Sequence, residues 1–198
     1  MILNYVMFFV TKLLIIVPYI FMMILEQEIK TVMRDVPNFP KEGIIFKDIT
    51  PILQQPLLCE KITEAIADYA KNHQVDAVIG IESRGFLFGM TVARLLNVPF
   101  IPIRKAGKLP YTTIKEEYDL EYGSAAIEMH SDALTKGTRV MIHDDLLATG
   151  GTAVAACKLV EKAGGKVACF SFLVSLDFLD GKSKLKPYSE EIFSLVNY

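Results

Sequence analysis

The sequence predicts an α/β fold with a mostly parallel central sheet flanked by helices, and three observations carry that expectation. Short apolar runs at 75–81 (VDAVIGI), 138–143 (TRVMIH) and 166–174 (KVACFSFLV) have the length and composition of strands buried on both faces. Between them lie stretches of helical period at 59–73, 85–96 and 150–164. No internal repeat or low-complexity tract interrupts the alternation after residue 26, and alternating strands and helices imply βαβ units.

Each element follows from its residues. The segment 35–56 contains Pro37, Pro40, Pro51 and Pro56 and reads as an ordered loop layer with a short strand at 44–46. In 59–73, Ile62, Ala65, Ile66 and Tyr69 fall on one helical face. A second helix at 85–96 is followed by a short strand at 99–103. Residues 104–123 (RKAGKLPYTTIKEEYDLEYG) are charged, hold Gly and Pro and show no clear period. They read as a long mobile loop, and loops of that length in a compact domain are often functional. A strand at 125–130 leaves the loop, and the strand at 138–143 delivers the chain to two acids. The helix at 150–164 places Ala153, Ala156, Val160 and Ala163 on one face and stops at Gly164-Gly165. The run at 166–174 reads as the final core strand.

Composition narrows the function classes. A chain of 198 residues with 52% hydrophobic content is long enough for one domain with a substantial core. A net charge of −2 supplies no general basic field, so a nucleic-acid partner is not expected and any phosphate site must be built locally. Cys59, Cys157 and Cys169 are odd in number and widely spaced, which favours thiols in a reducing compartment over a disulfide framework. His73, His130 and His143 lie at no metal-ligand spacing.

Residues 1–25 (MILNYVMFFVTKLLIIVPYIFMMIL) carry one charge, Lys12, and stand apart as an apolar N-terminal extension to a domain at 26–198. Three readings compete: a membrane anchor, a signal peptide, or upstream sequence ahead of an internal start at Met22, Met23 or Met33. Lys12 and Pro18 weaken the anchor, and the missing basic n-region and cleavage site weaken the signal peptide.

The strongest chemical signal is VMIHDDLLATGGT at 140–152. A buried strand brings Asp144 and Asp145 to the carboxyl edge of a parallel sheet, where ligands bind in open α/β folds. The turn Ala148-Thr149-Gly150-Gly151-Thr152 then opens a helix. Its main-chain N–H groups and two hydroxyls make a monophosphate site, and its glycines let the backbone close on the anion. The GxxxxGK[ST] spacing of a Walker loop is absent. Two acids beside such a turn suit the diol of a ribose, so the pattern points to a ribose 5-phosphate. A bare acid pair would be a solvated strand tip; the strand before it and the turn after it favour a site.

At these residues the chain resembles the type I phosphoribosyltransferases, in the form carried by the adenine phosphoribosyltransferases. The resemblance extends over 34–198 through RDVPNFPKEGIIFKDITPIL, GIESRGFLFG at 80–89, IRKAGKLP at 103–110, YDLEYG at 118–123 and the closing FSLVNY. It implies the type I phosphoribosyltransferase fold, with a small hood and a mobile catalytic loop. It also implies transfer of a phosphoribosyl group from phosphoribosyl pyrophosphate to adenine, Mg²⁺ entering with the pyrophosphate without direct protein ligands, a homodimer and a cytoplasmic location.

The resemblance assigns roles residue by residue. Arg84, a cation at a helix start where the dipole disfavours it, would grip pyrophosphate with its planar fork. Arg104, Lys105 and Lys108, by themselves a solvated basic cluster, would join it from the strand end that opens the long loop. Glu121 would manage the purine proton and Tyr122 would pack at the reacting centre. Phe46 would stack on adenine, main-chain groups at Ile45 and Lys47 would read its edge, and Leu146 would cover its other face. His143 reads as a tolerated strand residue, and Cys157 as core.

One position bears on the base. The resembled 6-oxopurine enzymes place a carboxylate where this chain has Ala148, and alanine cannot exchange a proton with the purine. Adenine is therefore expected over guanine, hypoxanthine or xanthine. The competing classes are a 6-oxopurine enzyme, a sensor that kept the fold without catalysis, and a membrane-tethered enzyme. No helix-turn-helix or basic surplus supports a DNA-binding sensor.

Overall fold

A computed structural model of the chain describes residues 2–119 and 124–198. It divides into two compact units, Met1–Lys61 and Ile62–Tyr198.

The first unit opens with a single long helix, α1 (Ile2–Val32), which holds Pro18 in its interior. Val17, Tyr19, Ile20, Phe21, Met23 and Ile24 are exposed. From Leu25 the helix changes character: Leu25, Ile29 and the following Met33 are buried at i, i+4 spacing, so one stripe is committed to packing. Among the described residues, no helix is long and apolar enough to cross a membrane. Two short strands, β1 (Arg34–Pro37) and β2 (Ile45–Asp48), form an antiparallel pair in which Val36 faces Phe46. The expected loop layer is thus a small two-stranded sheet followed by a 3₁₀ turn over Thr50–Gln54. A second helix, α2 (Pro56–Lys71), begins three residues earlier than the apolar periodicity predicts, because Pro56 at its first position needs no N–H partner there.

The second unit is built on a seven-stranded sheet. Its strands are β3 (Ala77–Ile81), β4 (Phe100–Lys105), β5 (Thr113–Asp119), β6 (Ser124–His130), β7 (Arg139–Leu147), β8 (Lys166–Ser175) and β9 (Ile192–Asn197). The order is β5-β6-β4-β3-β7-β8-β9. Five strands run parallel, from β4 to β9, and β6 joins β4 antiparallel with β5 beyond it. Helices α3 (Gly85–Leu96), α4 (Gly151–Lys162) and the short α5 (Gly181–Leu185) complete the unit. The core is aliphatic and aromatic, with Ile79, Ile103, Met129, Ile142, Phe170 and Phe172 all buried.

Three expectations need correcting. The sheet does not end at the strand over 166–174, since β9 pairs parallel with β8. The segment 104–123 is not a loop throughout, because 113–119 pairs residue for residue with β6, from Thr113 opposite His130 to Asp119 opposite Ser124. Its charges masked it: a strand with one solvated face can be mostly polar. And α4 buries more than one face. Ala155, Cys157 and Leu159 are buried beside the expected Ala153, Ala156 and Val160. The β5 strand lies against that helix, where Glu116 takes ion pairs from Lys158 at 3.1 Å and Lys162 at 2.5 Å.

Candidate active site

The sheet order places the site. From β3 the chain proceeds to β4 on one side, whereas β7, β8 and β9 build outward on the other. The crevice beyond the carboxyl ends of β3 and β7 is therefore the topological switch point, where open α/β sheets bind ligands. Two loops meet there: 82–84 after β3 and 148–150 after β7.

Asp144 and Asp145 lie near the end of β7, which continues through them to Leu147 rather than stopping at His143. Asp145 is buried and Asp144 half-buried. The Asp145 amide donates to Asp144 Oδ1 at 2.9 Å. Burial raises the Asp144 carboxyl well above the ordinary carboxylate range, and the neighbouring Asp145 charge adds to the rise. Burial also raises Asp145, opposed by the Arg84 guanidinium, whose Nε lies 2.9 Å from Asp145 Oδ2. Two residues predicted from separate motifs are thus in contact.

Arg84 precedes α3 as its N-cap residue, after a cis peptide between Glu82 and Ser83. Its approach to the acids depends on Gly85. A Cβ at Gly85 would lie 2.9 Å from both Asp144 Oδ1 and the His143 carbonyl. Only glycine lets the start of α3 pass this close to the acid strand.

The turn after β7 matches its predicted form. Gly150 adopts φ +80° and α4 begins at Gly151. Gly150, at the N-cap, has no side chain, so no cap bond from it reaches the first amides of α4. Residues 146–153, with Asp144 and Phe172, line a single pocket. Asp144, Leu146, Ala148, Thr149, Gly150, Gly151 and Thr152 are therefore brought together as expected. The turn is braced from behind by a residue that no motif singled out. A Cβ on Gly181 would run into the Ala148 carbonyl oxygen, and one on Gly150 would lie 2.9 Å from the Gly181 carbonyl.

Arg104, Lys105 and Lys108 form a second group, at the end of β4. Glu82 organises them: it accepts from Arg104 Nε at 3.2 Å, the Lys105 amide at 2.9 Å and Lys108 Nζ at 2.6 Å. Glu128 on β6 accepts from the Lys108 and Leu109 amides, each at 2.9 Å. Burial opposes ionisation of both acids, but these hydrogen bonds and nearby cations outweigh it and hold both below the ordinary range. Glu82 and Glu128 were missed by sequence reasoning. An acid next to a basic cluster reads as solvated charge, and Glu82 meets partners 22 and 26 residues away.

The remaining predicted residues divide. Ile45, Phe46 and Lys47 lie on β2 in the first unit, where Phe46 packs edge-on against Phe39 with ring centroids 5.1 Å apart and Lys47 pairs with Asp35 at 2.8 Å. Glu121 and Tyr122 lie outside the described residues. His143 is fully buried on β7, its Nδ1 2.8 Å from Ser171 Oγ. Cys157 is buried in α4, and burial pushes its thiol up.

Comparison with known proteins agrees with this geometry. A family model described as "Phosphoribosyl transferase domain" matches residues 48–197. The chain is 57% identical over 175 residues to an adenine phosphoribosyltransferase of Cytophaga hutchinsonii, covering 88% of this chain and 97% of that one. A crystal structure of adenine phosphoribosyltransferase from Thermoanaerobacter pseudethanolicus superposes with a TM-score of 0.84 at 48% identity, covering 87% and 99%. The Saccharomyces cerevisiae enzyme superposes at 0.82 with 43% identity, covering 86% and 98%. Its structure is a complex with D-2,5-dideoxy-2,5-imino-altritol 1,6-bisphosphate and adenine. With an acid pair and a glycine turn at the switch point and relatives matched over nearly their full length, the chain belongs to the phosphoribosyltransferase family, among its adenine phosphoribosyltransferases.

Proposed function

We infer that this protein transfers the phosphoribosyl group of phosphoribosyl pyrophosphate to adenine, giving AMP and pyrophosphate, as a purine-salvage enzyme. The observation that carries the reading is the acid pair at the end of β7, followed at once by the 148–152 turn at the start of α4, with Arg84 held against Asp145. A relative of 43% identity with adenine and a bisphosphorylated cyclic amine bound supports the same substrates.

In this reading the 148–152 turn holds the 5-phosphate through its N–H groups and the Thr149 and Thr152 hydroxyls. Asp144 and Asp145 accept from the ribose hydroxyls. As anions they favour the positive charge that develops at the anomeric carbon while adenine N9 attacks and pyrophosphate leaves, with inversion. Arg84, Arg104, Lys105 and Lys108 hold the pyrophosphate. Ile45 and Lys47 read the purine edge, and Phe46 and Leu146 enclose its faces. Glu121 takes the purine proton and Tyr122 packs at the reacting centre, so Glu121→Gln should lower turnover at least tenfold; unchanged turnover would remove it from the mechanism.

Mg²⁺ fits as a companion of the substrate. Burial raises both acids, and the Asp145 charge raises Asp144 further, so positive charge nearby is favoured. When bound with the pyrophosphate, the ion would supply positive charge to the leaving group. We read the assembly as a homodimer, which sedimentation would test. We read the compartment as cytoplasmic, in keeping with three free thiols. Residues 1–25 are proposed to be an extension outside a domain spanning 26–198.

The deciding experiment offers each purine base with phosphoribosyl pyrophosphate and Mg²⁺ and follows nucleotide formation by chromatography. AMP from adenine, with little product from guanine or hypoxanthine, is expected. Product from a 6-oxopurine alone would reject the argument from Ala148. Substrate binding without product from any base would identify a sensor.

A further inference from the structure

Glu82 is almost fully withdrawn from solvent, with 8% of its side chain exposed, yet it is a carboxylate beside the site where two phosphates are to bind. Left to itself, an acid there opposes binding, because like charges repel more strongly as water is excluded. Its hydrogen bonds explain why it stands there. Oε1 takes Lys108 Nζ, and Oε2 takes both Arg104 Nε and the Lys105 amide. Arg104 Nη1 in turn donates to the Lys108 carbonyl at 3.1 Å, closing a ring of contacts through 104–108. Two long cationic side chains lose rotamer freedom when they grip an anion, and that loss weakens binding. Here that ordering is already present before substrate arrives. With Nε on Glu82 and Nη1 on the Lys108 carbonyl, the guanidinium is fixed in orientation, and Nη2 is the group it would offer a phosphate.

We propose that Glu82 is a positioning residue for phosphoribosyl pyrophosphate, ordering Arg104 and Lys108 so that their remaining N–H groups are presented to the pyrophosphate. The proposal rests on the functional reading above. It makes a prediction whose sign a bystander acid cannot share. Removing a negative charge next to an anion site should tighten anion binding; removing a positioning group should loosen it.

The probe is inorganic pyrophosphate with Mg²⁺, titrated by calorimetry against the full chain and its Glu82→Gln and Glu82→Asp variants. Glu82→Gln should bind pyrophosphate about tenfold more weakly although it removes a negative charge, with KM for phosphoribosyl pyrophosphate rising alike and KM for adenine unchanged. Glu82→Asp, which keeps the charge, should recover part of the loss. In an Arg104→Ala/Lys108→Ala background, Glu82→Gln should no longer weaken pyrophosphate binding. Tighter or unchanged pyrophosphate binding in Glu82→Gln would overturn the proposal, as would an undiminished effect in that background. A wild-type chain that binds pyrophosphate but makes no AMP from adenine would sink the functional reading alone, since the binding series still decides the role of Glu82.

Discussion

Asp144 and Asp145 are chemically identical neighbours in unlike surroundings. Asp145 has Arg84 against it, while Asp144 is raised by burial and by Asp145. The sign follows from linkage: a carboxyl raised above its ordinary 3.8 binds more protons folded than unfolded, so its contribution to stability falls as pH rises from 3.8 towards the folded value. Asp144→Asn should therefore raise unfolding free energy at pH 7 by about 1 kcal/mol while cutting turnover by roughly a hundredfold. Urea unfolding and initial rates would check both. His143 has the opposite linkage. Burial depresses it from 6.5 to about 4, so stability is full above 6.5 and is lost as pH falls from 6.5 towards 4. The loss amounts to roughly 3 kcal/mol. Replacing both members of the pair, His143→Val with Ser171→Ala, should flatten that decline, as thermal melts across this range would show. The acid pair was legible in the sequence because adjacent residues need no fold to bring them together. The Arg84–Asp145 contact was not, since it depends on β3 and β7 being neighbours.

At the scale of elements, the phosphate turn depends on a segment distant in sequence. Gly181 begins α5 and its backbone packs under the Ala148 carbonyl and the Gly150 amide. Gly181→Ala should push the 148–150 turn out of shape and raise KM for phosphoribosyl pyrophosphate about tenfold, with a smaller effect on KM for adenine. Equal effects on both substrates would argue against a local role. The Asp180-Gly181 dipeptide marks a turn in the sequence, but nothing there says which backbone it meets. The buried parallel strands were legible because apolar runs need no partner to declare themselves. The β5 strand was not, because its solvated face breaks the pattern.

For the whole chain, the family match begins at residue 48, and 175 residues of this chain account for 97% of the Cytophaga relative. The side chains of Val17, Tyr19, Ile20, Phe21, Met23 and Ile24 are exposed, and Leu25 is the first buried one among the described side chains. A chain beginning at Met23 keeps Leu25, Ile29 and Met33. It should retain the turnover of the full chain within about twofold, because the buried stripe of α1 and the whole span of the family match stay in place. A loss of turnover or of cooperative melting would show that residues 1–22 belong to the working protein.

By itself the sequence determined the order of the parallel core elements, the acid pair and the 148–152 turn that follows it, since each is written in contiguous residues whose spacing has a local physical meaning. Only the tertiary structure decided that Arg84 meets Asp145, that Glu82 and Glu128 hold the 104–109 segment, and that Gly181 supports the phosphate turn. Those contacts join residues 19 to 61 positions apart across neighbouring strands and loops. No pattern of charge or hydrophobicity along one segment records which other segment lies beside it in the sheet.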